Sequence, residues 1–99
     1  MRKKLEPAEL ETALAKLSGW QVANGKLHRT YTFKDFADAF AFMTACALRI
    51  QVLDHHPEWS NVYSTVNVDL VTHDAGGITG RDVELATLMN EAAKRFTMA

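Results

Sequence analysis

The sequence predicts an α+β fold: a four-stranded antiparallel sheet with helices packed on one face, in the order helix, strand, strand, helix, strand, strand, helix. Three observations lead there. Asn24 and Gly25 stand between two short runs of partly alternating residues, the signature of a tight hairpin. A second pair of short runs, rich in valine, follows a long helical stretch. The helical stretches lie before, between and after the two strand pairs, so the strands are linked as hairpins and not through parallel crossovers.

The first helix is expected over residues 7–17. Pro7 suits a first helical turn, and Glu6, Glu9 and Glu11 favour its positive end. Leu10, Ala13, Leu14 and Leu17 make one apolar stripe, and Ser18 with Gly19 ends it. The hairpin that follows is "WQVANGKLHRTYTF", turning at Asn24 and Gly25 as a type I′ turn. Leu27, Arg29, Tyr31 and Phe33 share one face; His28, Thr30 and Thr32 share the other. The pattern alone does not choose the buried face.

A long helix is expected over residues 36–53, with Asp35 as N-cap. It carries two stripes: Phe36, Phe40, Met43, Ala47 and Ile50, and then Phe42, Cys46, Arg49 and Leu53. One stripe suffices to cover a sheet, so the second is expected to meet another subunit, the first helix or the hairpin. Strands are expected over 58–63 and 66–73. Val66, Val68, Leu70 and Thr72 face one way, and Asn67, Asp69, Val71 and His73 the other. Thr79 with Asp82 three residues on resembles a capping box, with Asp in place of the usual Glu, and opens a last helix running to Arg95.

The chain has 99 residues, enough for one domain, 1–99. A chain this short buries roughly two-thirds of its unfolded surface, so its core is modest and oligomerisation would help it. Hydrophobic residues at 47% and charged residues at 23% are those of an average globular protein. A net charge of -1 projects no field toward polyanions, so direct nucleic-acid binding is not expected. The single cysteine, Cys46, excludes an intrachain disulfide and fits a reducing compartment. The start, "MRKKLEPAEL", is basic and then acidic and lacks the apolar core of a signal peptide. No stretch is read as approaching the roughly 18 apolar residues of a membrane span. A soluble, cytoplasmic protein is expected.

Candidate chemistry gathers at "LDHHPEW". The long helix must stop before Pro57, because proline pushes the residue ahead of it out of the α region. His56 is therefore extended, beside a helix C-terminus whose partial charge favours an imidazolium. A two-residue turn at Ser64 and Thr65 would set Tyr63 opposite Val66 and carry His56 directly opposite His73, with Cβ atoms about 5 Å apart. Either way, both histidines lie at the open end of that hairpin, where Asp54, Trp59, Asp74 and Asp82 can reach. Titratable imidazoles, an aromatic plane and orienting carboxylates are the ingredients of a concave site. Adjacent histidines in extended chain point in opposite directions, and no His-x-His pair is present, which argues against a metal centre. From pattern alone, solvated histidines at the start of a strand remain an open alternative.

"DHHPEW" followed by "NVY", then "VTHD", then "GRD" at a helix start, resembles the pterin-4a-carbinolamine dehydratase family. "GW" at Trp20 and "RTYTFKDFADAFAFM" fall in the same order, so the resemblance covers roughly Leu14 to Phe96. It implies a hydro-lyase that removes water from 4a-hydroxytetrahydrobiopterin to give quinonoid dihydrobiopterin for tetrahydrobiopterin recycling, without metal or cofactor. It implies His55, His56 and His73 as catalytic acid/base residues and Asp54, Trp59, Arg81 and Asp82 as substrate-binding positions. Many members carry Glu four residues before the histidine pair, where this chain has Gln51. The resemblance also implies homodimers through sheet edges and homotetramers through the long helices, which assigns Phe42, Cys46 and Leu53 to a subunit contact. A transcription-factor partner is implied in some lineages. A non-catalytic oligomerisation partner, acting through the long-helix surface, is the competing reading.

Overall fold

The computed structural model describes residues 3–99; Arg2, part of the basic start, lies outside them. The elements are α1 (Pro7–Leu14), β1 (Gln21–Ala23), β2 (Lys26–Thr32), α2 (Phe36–Leu53), β3 (Glu58–Val62), β4 (Thr65–Leu70), a 3-10 turn (His73–Ala75) and α3 (Gly80–Ala93). The four strands form one antiparallel sheet in the order β1-β2-β4-β3. The predicted class and element order are those observed.

The local signals act where the sequence places them. Asn24 and Gly25 both take positive φ, 54° and 76°, as a type I′ turn requires, and Ala23 pairs with Lys26 across it. Asp35 caps α2 by accepting the Asp38 N–H at 2.8 Å. The first helix is three residues shorter than expected. Past Leu14 the chain tightens into i to i+3 bonds, Lys16 N–H to Ala13 O and Leu17 N–H to Leu14 O, which still bury Leu17.

Leu27 and Tyr31 of β2 and Val66, Val68 and Leu70 of β4 are fully buried beneath α2 and α3. The opposite sheet face carries His28, Thr30, Asn67 and Asp69, linked by side-chain hydrogen bonds. His28 Nδ1 lies 2.9 Å from Asp69 Oδ1, so this histidine belongs to the open sheet face, away from the cleft described below.

The stripes of α2 require a correction. The residues buried on it are Ala39, Phe42, Cys46 and Ile50. Phe42, Cys46 and Leu53, expected at a subunit contact, instead serve the chain's own core, fully for the first two and partly for Leu53. Small Ala39 and Cys46 let the helix approach the sheet, and Phe42 wedges against Tyr31 and Phe33, with ring centroids 4.7 and 5.0 Å away. Burial pushes the Cys46 thiol up to about 12. Phe36 and Phe40 lean on each other at 5.6 Å on the outer side and stay about half exposed. With Leu48 and Val52 they give α2 an apolar outer face. This outer face also corrects the membrane expectation: α2 is 18 residues long with mean hydropathy 1.4, long and apolar enough by those measures to cross a membrane. Its inner face is used by the sheet.

The late hairpin turns one residue earlier than expected. Val62 pairs with Thr65 and Glu58 with Asp69, so the turn is Tyr63 and Ser64, with Tyr63 left-handed at φ 51°. Asn61 fixes it: its Nδ2 donates to Tyr63 O and Thr65 O, both at 3.0 Å. Continued past the ladder, this register sets His56 across from Val71, so His56 and His73 are not direct partners. The chain leaves the sheet after Leu70 and turns at His73–Ala75.

Candidate active site

Two helix ends meet beside the sheet and build the site. α2 ends because Asp54 turns left-handed at φ 53°, its N–H bonded to Ile50 O at 2.9 Å. Aspartate tolerates that conformation better than most side chains. The chain then runs extended toward β3, and the two histidines point to opposite sides: His55 is buried and His56 exposed.

The start of α3 supplies the partner of His55. Thr79 is its N-cap, its Oγ1 accepting from Arg81 N–H at 3.2 Å. Asp82 completes the capping box by accepting the Thr79 N–H on Oδ2 at 2.9 Å. Asp82 is fully buried and accepts more than the cap. Thr72 Oγ1 donates to Oδ2 at 2.9 Å, and His55 Nε2 lies 2.5 Å from Oδ1. The carboxylate offers only acceptors, so the His55 proton facing it sits on Nε2 and a neutral ring has its lone pair on Nδ1. Arg81 closes the junction, its Nη2 donating to Leu53 O at 2.8 Å. The carbonyl end of α2, expected to act on an imidazole, is thus engaged by a guanidinium.

His73 comes from the other side. Its Nε2 lies 3.1 Å from Glu58 Oε2, while Glu58 Oε1 accepts from Lys26 Nζ at 2.5 Å. The Lys26 ammonium, and then His73, hold the Glu58 carboxyl below its ordinary range; Glu58 in turn raises Lys26. The result is an open cleft of about 350 Å³ lined by Asp54, His55, His56, Val71, Thr72, His73, Asp74 and Arg81.

Of the residues singled out in the sequence, the structure brings His55, His56, His73, Asp54 and Arg81 onto this cleft, with Asp82 bonded to His55. Trp59 is not brought there. It pairs with Val68 and packs against the core. Gln51 is exposed on α2 and does not line the cleft. Sequence reasoning missed Glu58 and Thr72. The signal for Thr72 was the alternation in β4: with Leu70 inward, Thr72 is inward too. A larger groove of about 770 Å³ lies between α2 and α3, lined by Leu48, Arg49, Leu88, Glu91 and neighbours; it contains no histidine.

Residues 3–92 match the family described as Pterin 4 alpha carbinolamine dehydratase. The chain belongs to that family. It is 52% identical over 93 residues to a protein of Solibacter usitatus, covering 94% of this chain and 98% of the relative. It is 58% identical over 86 residues to one of Afipia carboxidovorans, covering 85% and 86%. Both are provisionally named pterin-4-alpha-carbinolamine dehydratase. A crystal structure described as transcriptional coactivator/pterin dehydratase, from Brucella melitensis, superposes with a TM-score of 0.88 at 44% identity, covering 92% of this chain and 99% of that one. The pterin carbinolamine dehydratases are hydro-lyases, and the present chain carries their fold over nearly its whole length.

Proposed function

We propose that this dehydratase converts 4a-hydroxytetrahydrobiopterin to quinonoid dihydrobiopterin and water, in tetrahydrobiopterin recycling. The observation that carries the reading is the convergence of three imidazoles, His55, His56 and His73, on one cleft, in a chain of this family. The cleft's volume is in the range that takes a small bicyclic ligand.

The reaction breaks the bond between the 4a carbon and its hydroxyl oxygen. A proton delivered to that oxygen lets it leave as water. The electron pair on the adjacent ring nitrogen forms the new C=N bond, and the nitrogen's proton passes to a base. Imidazoles suit both transfers, each worth roughly 10²- to 10⁴-fold. His56 or His73 donates to the hydroxyl. The other, with His55, binds the ring or accepts its proton; a lone pair on His55 Nδ1 suits the accepting role. Asp54 and Arg81, on the rim, contact the substrate, and Asp82 acts on it only through His55. The test is stopped-flow absorbance on freshly generated carbinolamine: dehydration faster than in buffer is expected, and an unchanged rate would remove the proposal.

We further propose that the chain acts in the cytoplasm and self-associates. The exposed strip of Phe40, Leu48 and Val52 on α2, and the edge strands β1 and β3, support self-association. The same strip supports a second reading, a non-catalytic role on a protein partner; the Brucella melitensis neighbour is described as a transcriptional coactivator as well as a pterin dehydratase.

A further inference from the structure

We propose that Thr72 is a positioning residue for this site: its hydroxyl, oriented by Thr79, fixes the Asp82 carboxylate and through it the orientation of the His55 imidazole. The inference rests on the reading of the cleft as the dehydratase site, and goes beyond it by assigning the direction of each proton behind His55.

Thr72, Thr79 and Asp82 are all buried, so their polar atoms must satisfy one another. Thr72 Oγ1 lies 2.9 Å from Asp82 Oδ2 and 2.8 Å from Thr79 Oγ1. A hydroxyl has one proton. The carboxylate cannot donate, so the Thr72 proton points at Oδ2. The proton between the two threonines therefore belongs to Thr79, and Thr72 accepts it. Thr79 Oγ1 keeps a lone pair for the Arg81 N–H. Every hydrogen bond in the chain Thr79, Thr72, Asp82, His55 then runs in one sense up to the carboxylate, where His55 Nε2–H arrives from the other side at 2.5 Å.

The consequence concerns chemistry as well as packing. With Oδ2 held by the Thr72 hydroxyl and the Thr79 N–H, Oδ1 is left to His55 alone. Valine at position 72 matches threonine in shape but removes the donor to Oδ2 and the acceptor of the Thr79 proton. The carboxylate then keeps the Thr79 N–H on Oδ2 and His55 on Oδ1, but loses the hydroxyl that fixes its plane, so the imidazole it orients is held less tightly. Serine keeps the hydroxyl and should keep the relay.

Long-range proton–nitrogen correlation spectra of histidine-labelled protein read the tautomer directly. In the unaltered chain His55 should carry its proton on Nε2, and the Thr72 and Thr79 hydroxyl protons should exchange slowly enough to be seen. Thr72→Val should leave the proton on Nε2 but move the His55 ring-nitrogen resonances and lower kcat about tenfold with KM within about twofold, while Thr72→Ser keeps resonances and rate near the unaltered values. An Nδ1–H tautomer in the unaltered chain, unmoved His55 resonances in Thr72→Val, or full kcat in Thr72→Val would each overturn the proposal. Should Thr72→Val fail to fold, Thr72→Ala, which removes the hydroxyl without adding bulk, is read by the same resonances and rate beside Thr72→Ser. Should the unaltered chain lack dehydratase activity, the functional reading falls, and the spectra alone decide whether the relay positions His55.

Discussion

At the scale of single residues, the histidine pair was legible because Pro57 and the alternation of an extended chain force His55 and His56 apart. What the sequence could not supply was which one turns inward. That choice is made by Asp82, which lies 27 positions away in the chain and bonds His55 Nε2. The capping box of Thr79 and Asp82 was legible, but its local logic stopped at the helix start. In the fold the same carboxylate holds a cap, a threonine and a histidine at once. Removing it orphans three buried donors. Asp82→Ala should therefore cost roughly 2–4 kcal/mol in urea denaturation. A loss below about 0.5 kcal/mol, the size of an ordinary surface change, would mean the network is not formed. Trp59 shows the converse: an aromatic residue three positions from a histidine lies on the inner face of its strand, and the core takes it.

At the scale of elements, helix and strand order followed from turn and cap chemistry; boundaries moved where the end of α1 tightened, where the late hairpin turned early and where the chain left the sheet after Leu70. The face of α2 did not follow. Both of its stripes are apolar, so periodicity could not rank them; packing does, because Ala39 and Cys46 permit close approach and Phe42 fills the space between Tyr31 and Phe33. Phe42→Ala should thus destabilise the chain by roughly 3–5 kcal/mol, against less than about 1 kcal/mol of intrinsic stability for the exposed Phe40→Ala. Denaturant midpoints at matched, low protein concentration check the pair; equal losses would contradict the assignment of faces. The register of the late hairpin was unreadable for a related reason. "YSTV" offers no Asn-Gly, and the turn is selected by Asn61, a strand residue whose amide ties Tyr63 and Thr65.

At the scale of the whole molecule, a modest core under one sheet face leaves, besides the polar open face, apolar surface without cover on α2 and at the β3 edge among the described residues. On α2 it is the outer side, where Leu48 is 70% and Val52 85% exposed. The β3 edge ends in exposed Val62 and Tyr63. Exposed apolar strips of this kind are rare on monomers. Leu48→Glu combined with Val52→Glu should lower the mass seen by light scattering without shifting the far-ultraviolet circular dichroism; an unchanged mass would place any subunit contact elsewhere. The cleft itself is also a product of the whole molecule, since α2, the chain before β3, the turn after β4 and α3 each supply part of it. The central claim is that this cleft dehydrates a pterin carbinolamine with its imidazoles. Its most direct test is the stopped-flow dehydration rate of the unaltered chain beside His55→Ala and His73→Ala, each first shown to be folded. The account predicts acceleration over buffer by the unaltered chain and a loss on the order of 10²-fold or more in each variant; no acceleration, or full activity in both variants, would contradict it.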